Sequence, residues 1–342
     1  MPLAALLDRL GFFAACADAI ARDRDEVPVL ALWVLAAATT AVLNLDTTIV
    51  LLTPLYVRLA RNAHLPQAGH DADRAELVLG VAVVPLLLAA FASSFLPVSN
   101  LTTIILAERT ELSSGDVLVH LGPASLAACT VGWLLHRRRH PIVLRELPAT
   151  ALDAAALRVG GAVVAFLLVG FVAGPYVGID AWVVALVADI ALALRLRHLP
   201  WRRVPVVTAA AIAALSLVVS LLPDDLLDPL WDTAGTPGVL AAGGVGTALA
   251  NAVNNLPAAL VAANGVEQQS WALWSYLLAI NVGAVLLPIG AVANLLWWRI
   301  LRDEGVHIGL HSYLRLVVPV AAPALAVAVA VLALQQALVR VG

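Results

Sequence analysis

Two short polar segments interrupt apolar runs and carry the side chains best suited to hold a small solute. The first reads TTAVLNLDTTIVLLTPLYV and groups Asn44, Asp46, Thr47 and Thr48. The second reads TALANAVNNLPAALVAANG and sets Asn254 beside Asn255. Two further apolar runs break at a proline. FASSFLPVSNLTTIILAE breaks at Pro97 and carries Ser99, Asn100, Thr102 and Thr103. NVGAVLLPIGAVANLLWW breaks at Pro288 and carries Gly290 and Asn294. Amide and hydroxyl side chains both donate and accept, so together they can replace a solute's hydration shell. Pro97, Pro257 and Pro288 lack an N–H and oppose continuous helix. A broken helix leaves backbone groups free for a ligand. Its N-terminal end favours anions and its C-terminal end favours cations.

Asp46 is an ionisable group in an apolar run, and such groups mark proton or ion pathways. It would carry a coupling proton or bind Na+. The plainer alternative is a helix cap that accepts N–H groups near Ile49. Asp189 is the second candidate for proton coupling, set against snorkelling or a structural pair with Arg195. Asn251 and Asn281 flank the same segments and are read as supporting or packing amides. No catalytic residues, cofactor motif or metal cluster stands out, so an enzyme is not expected. The eight His lack ligand spacing, and Cys16 and Cys129 stand alone. The run GVLAAGGVGTALA has no strand before it and no Lys-Ser/Thr after it, so it reads as close helix packing and not a phosphate loop.

The elements that must position these groups are membrane helices. Of 342 residues, 62% are hydrophobic and only 13% charged. Mean hydropathy is +0.94. That leaves too little polar material for the shell of a soluble enzyme, and it excludes a nucleic-acid partner. The lipid bilayer is the expected partner. Apolar stretches run at about 28–61, 75–107, 117–136, 152–173, 179–194, 204–222, 236–264, 270–301 and 313–340. They are continuous and do not alternate, which excludes an outer-membrane barrel. Residues 1–27 are more polar and form an amphipathic interfacial segment. The nine Trp, such as Trp201, Trp271, Trp274, Trp297 and Trp298, are expected in interfacial belts.

Basic clusters set the orientation. They lie at Arg22/Arg24, Arg58/Arg61/Arg74, Arg137–Arg139 with Arg145, Arg195/Arg197/Arg202/Arg203 and Arg299/Arg302. Asp224, Asp225, Asp228 and Asp232 mark an external loop. The count of crossings closes only if 28–61 and 236–264 enter and leave on the same side. The expected fold is therefore an all-α polytopic membrane protein with inverted repeats, each holding a re-entrant hairpin and a broken transmembrane helix. Repeat 1 spans 28–145: hairpin 28–61, broken helix 75–107 and span 117–136. Repeat 2 spans 146–342: spans 152–222, hairpin 236–264, broken helix 270–301 and span 313–340. Repeat 1 lacks counterparts of the three spans in 152–222, so either a start codon placed too late or a shortened form is expected. Paired hairpins and broken helices in opposed repeats signify a secondary transporter with a midplane site.

These motifs resemble the ion transporter superfamily, and within it the arsenite/antimonite efflux branch. VNNLPAAL at 253–260 with INVGAVLLPIGAVANLLWWRILR at 280–302 is similar to that branch's V-N-N-L-P and T-P-x-G-S-x-A-T-L-L-W pattern. LDTTIVLLTP and FLPVSNLTTIIL resemble its S-N-D-A-T-A-V-L-L-T-P and L-P-x-S-N-P-x-N stretches. Here Leu45, Leu101, Thr103, Leu287, Ala291 and Asn294 depart from the pattern. The resemblance implies a multi-pass plasma-membrane permease of a bacterium. It would export arsenite or antimonite by proton antiport or the membrane potential. The substrate would be a small inorganic oxyanion or metalloid, and a homodimer or an arsenite-stimulated ATPase subunit would be a partner. The rivals are a carboxylate or sulfate symporter with sodium, a sodium/proton antiporter, and an inactive scaffold.

Overall fold

The computed structural model describes residues 2–21, 26–63, 71–142, 144–145, 153–199, 206–266 and 269–341. Arg22, Arg24, Trp201, Arg202 and Arg203 lie outside them. The described chain is α-helical throughout, apart from a two-residue antiparallel bridge. There β1 (Glu26–Val27) pairs with β2 (Leu144–Arg145).

The first part of the chain runs α1 (Pro2–Arg9), α2 (Phe12–Ala21), α3 (Val29–Val42), α4 (Leu45–Thr47), a π turn (Thr48–Leu52) and α5 (Thr53–Asn62). α6 (Asp71–Phe91) follows, then a single 3-10 turn (Pro97–Ser99), α7 (Leu101–Thr110) and α8 (Ser114–Arg139). The second part runs α9 (Ala154–Ala173), α10 (Ala181–Leu196), α11 (Val206–Val219), the short α12 (Asp228–Trp231), α13 (Gly235–Val253) and α14 (Asn255–Gly265). α15 (Trp271–Val282) leads through two 3-10 turns to α16 (Val292–Asp303), and α17 (Leu310–Val341) ends the chain. Four of these helices are long and apolar enough to cross a membrane: α6, α8, α9 and α17. The chain is an all-α polytopic membrane protein.

α3 has 14 residues, about 21 Å at 1.5 Å each, which falls short of the roughly 30 Å hydrocarbon core. The Tyr56 hydroxyl of α5 donates to the Leu32 carbonyl of α3 at 2.5 Å. The small-residue run of α13 lies tightly on α15. A Cβ on Gly246 would sit 2.9 Å from the Tyr276 carbonyl oxygen, so a larger residue would push the helices apart. Lipid is as apolar as Leu, and contact of this kind, not water exclusion, holds membrane helices together. Ser275 adds a hydrogen bond to the Val239 carbonyl at 2.7 Å.

The arginine-rich ends of several helices come together. Arg58 lies 3.2 Å and Arg61 3.9 Å from the Glu304 carboxylate. Arg139 donates to the Arg315 carbonyl at 3.4 Å. The tryptophan belt needs correction. Trp274 and Trp297 are buried in the core, and the Trp297 indole donates to the Ala82 carbonyl at 2.8 Å. Their position at the ends of apolar stretches suggested the interface, but adjacent helices cover them. Asp189 also departs from one reading: it forms no ion pair with Arg195, which is exposed.

Candidate functional site

At the first helix break, α3 ends and Asn44 caps the next helix. Its Oδ1 accepts from the Thr47 N–H at 2.9 Å. Capping thus falls to Asn44 and not to Asp46. Asp46 stands half-buried in the first turn of α4, with no hydrogen bond or ion pair to another described residue. Thr48 is buried, and its hydroxyl pairs with that of Thr40 at 2.8 Å. The π turn follows at once, and such turns gather at functional sites.

The second break repeats the device. α13 ends at Asn254, whose positive φ of 83° is a conformation that Asn tolerates better than most residues. Its Oδ1 caps α14 through the Leu256 N–H at 3.3 Å, and its Nδ2 donates to the Ile289 carbonyl at 2.8 Å. Pro257 occupies the first turn of α14. It offers no N–H to the Val253 carbonyl and its ring crowds that oxygen, which together with the positive φ of Asn254 favours a break between α13 and α14.

The two proline breaks also share one backbone course. Leu96 and Leu287 are extended, as residues before proline prefer. Pro97–Ser99 and Pro288–Gly290 each form one 3-10 turn, and Asn100 and Ala291 return to extended geometry before a new helix. Ser99 donates to the Ala41 carbonyl at 2.7 Å, pinning the first break to the end of α3. Gly290 is required by packing, since a Cβ there would lie 2.1 Å from the Ala284 carbonyl oxygen. The two helix starts differ in one respect. Asn100 caps α7 through the Thr102 N–H at 3.2 Å, whereas Ala291 leaves the start of α16 without a side-chain cap.

Asn281 joins the two parts of the chain. Its Oδ1 accepts from Asn100 Nδ2 at 2.9 Å and from the Thr102 hydroxyl. Its Nδ2 donates to Ser94 at 2.9 Å and Thr103 at 3.0 Å. Thr102 and Thr103 are therefore committed to Asn281. Asn251 bridges in a similar way, donating to the Gly283 carbonyl at 2.9 Å and accepting from the Leu287 N–H at 2.9 Å. The sequence read Asn281 as a supporting or packing amide but could not name its partners. Its four partners lie far away in the chain, which no local pattern reveals. Ser94 carried no signal at all.

These elements line a small, partly open cavity, with room for about one water molecule. Four amides line it: Asn100, Asn255, Asn281 and Asn294, with Leu45 and several alanines completing the wall. Asn294 turns its Nδ2 to the Ala284 and Leu287 carbonyls at 2.8 and 3.0 Å. Asn255 is 8% exposed, and its side chain has no hydrogen-bond partner among the described residues. No ionisable side chain is among the described lining residues. The structure thus gathers Asn100, Asn255 and Asn294 at one cavity. It turns Asn44, Thr48, Ser99, Thr102, Thr103 and Asn254 to structural bonds around it. It leaves Asp46 beside the tip. Asp189 sits elsewhere, on α10, with one oxygen buried and unpartnered.

The family profile described as citrate transporter matches residues 1–279. An arsenical pump membrane protein of Yersinia enterocolitica is 28% identical over 96% of this chain and 83% of its own length. Arsenical pump membrane proteins of Escherichia coli K12 and Shigella flexneri are each 27% identical over the same shares. The relatives are bacterial membrane proteins, and the apolar helices here fit the inner membrane. This chain belongs to the citrate transporter family and is a multi-pass secondary membrane transporter.

Proposed function

We propose that the protein exports arsenite or antimonite across the bacterial inner membrane, coupled to protons or to the membrane potential. The observation that carries this reading is the cavity lined by four amides without an ionisable side chain among the described residues. Arsenous acid is uncharged at neutral pH and presents three hydroxyls. Asn255 can both donate to them and accept from them, and the Asn294 Oδ1 can accept, while Asn281 and Asn100 hold the wall through their protein hydrogen bonds. A tricarboxylate such as citrate would enter the same space with charge that no lining cation offsets, and burying unpaired charge is costly. The relatives' name points the same way. The solute is larger than the present cavity, so the tips around Leu45 and Asn255 separate to admit it.

The two helix breaks at Asn44 and Asn254 are the tips of re-entrant hairpins in opposed repeats. The matching course of the Pro97 and Pro288 breaks supports that reading. The arginine-rich ends face the cytoplasm. Asp46, which lies beside the first tip and forms no ion pair with another described residue, carries the coupling proton. A second reading, cation exchange, is favoured by Asp46 alone and predicts sodium dependence. A homodimer and an ATPase partner remain proposals drawn from the resemblance.

The test is transport by the purified protein in proteoliposomes. Arsenite accumulation driven by an imposed proton gradient or potential, without sodium, supports the reading. Citrate or sodium movement with no metalloid flux overturns it.

A further inference from the structure

The structure points to a second titratable centre, away from the amide cavity, at the arginine-rich end of α8. Ten buried side-chain polar atoms lack partners among the described residues, and four of them belong to three side chains in one cluster: Trp33, His136 and His140. His136 is fully buried, and one ring nitrogen, Nε2, lies 2.7 Å from the Gly80 carbonyl. That contact requires an N–H at Nε2, which leaves Nδ1 as a bare acceptor in the neutral ring. The ring centre of His136 is 5.4 Å from Trp33 and 5.2 Å from His140, and Trp133 stacks at 6.4 Å. Both His140 nitrogens and the Trp33 indole N–H are buried without a partner.

A packed apolar corner does not need donors and acceptors left unpaired on adjacent rings, because each unpaired polar group costs free energy. Trp33 offers a donor, neutral His136 offers an acceptor, and His140 offers one of each. We propose that Trp33, His136 and His140 form a proton-binding site, with the proton shared between the two imidazoles and the indole rings as its walls. The flat faces of Trp33 and Trp133 would stabilise the resulting cation.

The surroundings set the direction of its response. On α6, Glu76 favours the charged form of His140, and on α8 Arg139 opposes it. Burial outweighs both and holds His140 below the ordinary histidine value. α3 carries no charged residue. The β1–β2 bridge carries Glu26 and Arg145 close by in the chain. The site is therefore neutral at pH 7 and fills as the medium at that end becomes acidic. Trp33 belongs to α3, the arm that leads to Asn44. A proton bound here would act on the same arm that ends at the solute site, from its opposite end. This inference rests on the transporter reading but not on the identity of the solute.

The experiment has two arms. The first needs no substrate: tryptophan emission of the purified protein is titrated from pH 8 to pH 4.5, beside Trp33→Phe and His136→Gln/His140→Gln variants. Imidazolium quenches a neighbouring indole. The proposal expects a loss of emission in acid that the double histidine variant lacks and that Trp33→Phe reduces, because Trp133 still stacks on His136. An acid transition that persists unchanged in the double histidine variant, or no transition in the native protein, overturns it. The second arm follows flux in proteoliposomes as the pH is varied on the arginine-rich side alone. The native rate should change between pH 8 and pH 5, and the double histidine variant should keep the native pH 8 rate with a flat profile. A variant that retains the native profile overturns the role. If the double variant does not fold, the Trp33→Phe emission difference and ring-carbon NMR of His136 and His140 decide. Imidazoles that stay neutral down to pH 4.5 refute the site. Absence of arsenite flux alone bears on the proposed substrate and leaves the emission result standing.

Discussion

Replacing Asn281 by Ala should separate the two parts of the site. The side chain makes four hydrogen bonds, to Ser94, Asn100, Thr102 and Thr103, all of them buried. Hydrogen bonds between membrane helices average about 0.6 kcal/mol each, so four amount to about 2.4 kcal/mol if additive. The upper bound comes from stranded partners, at about 1–3 kcal/mol for each group left unsatisfied in a buried place. Two features keep the loss nearer the lower figure. Asn100 retains its contact with Ser93, at 3.4 Å. The space vacated by the amide also adjoins a cavity that already has room for about one water, so solvent can replace some of the bonds. A loss of about 2–4 kcal/mol is expected in reversible denaturant unfolding in mixed micelles. Flux should fall about tenfold or more, since each 1.4 kcal/mol of misplacement at the transition state costs about that factor. A cycle with Asn100→Ala isolates the direct pair and should give a coupling of about 0.6–1.7 kcal/mol. If Asn281→Ala lies within about 0.5 kcal/mol of the native protein and transports normally, the amide bridge is an ornament and the argument fails.

Asn255→Ala should behave in the opposite way, raising KM for the solute with little change in unfolding, because the amide has no protein partner to strand. Solute-binding isotherms beside unfolding curves will show whether both halves hold. Asp46→Asn should leave folding intact and abolish the dependence of flux on an imposed proton gradient. Counterflow exchange, which needs no net coupling, should persist. Gly290→Ala should cost about 1–3 kcal/mol or prevent insertion, since its Cβ would meet the Ala284 carbonyl at 2.1 Å and Asn251 at 2.8 Å. Membrane yield and gel-filtration profile would read it out. Stability should also fall in acid. His140 has a folded pKa below its unfolded value, so its contribution is fully present above about pH 6.5 and is lost as pH falls below that. His140→Gln should shrink the difference in unfolding free energy between pH 8 and pH 5.5.

Much of the site's plan could be read locally. Pro97, Pro257 and Pro288 act on their own backbone neighbours, so the helix breaks appear in the sequence where they appear in space. The Asn residues at those breaks were equally legible as polar groups, but their division of labour was not. Whether Asn44 or Asp46 caps α4 depends on the rotation of a three-residue helix. Whether Thr102 faces solute or Asn281 depends on where α15 passes. The same limit explains the tryptophans. A Trp at a span end meets the interface only if no other helix covers it, and Trp297 is covered by α6. His136 illustrates the reverse case, since one histidine in an apolar span gains meaning only from Trp33 and His140 beside it.

The π turn at Thr48–Leu52 gives the first tip a spare residue. A π turn closes its hydrogen bonds one residue later than an α turn, so its coil is slightly overfilled. Letting that residue pass into the tip would restore α geometry below. Everything above it would turn by about 100° and shift by about 1.5 Å, the step of a single helical residue. Asn44 and Asp46 ride on that upper portion, whereas α5 and its tie to Glu304 lie below it. The carboxylate could thus be wound toward the cavity or away from it while the rest of the arm stays anchored. The tip works like the indexed head of a fixed shaft.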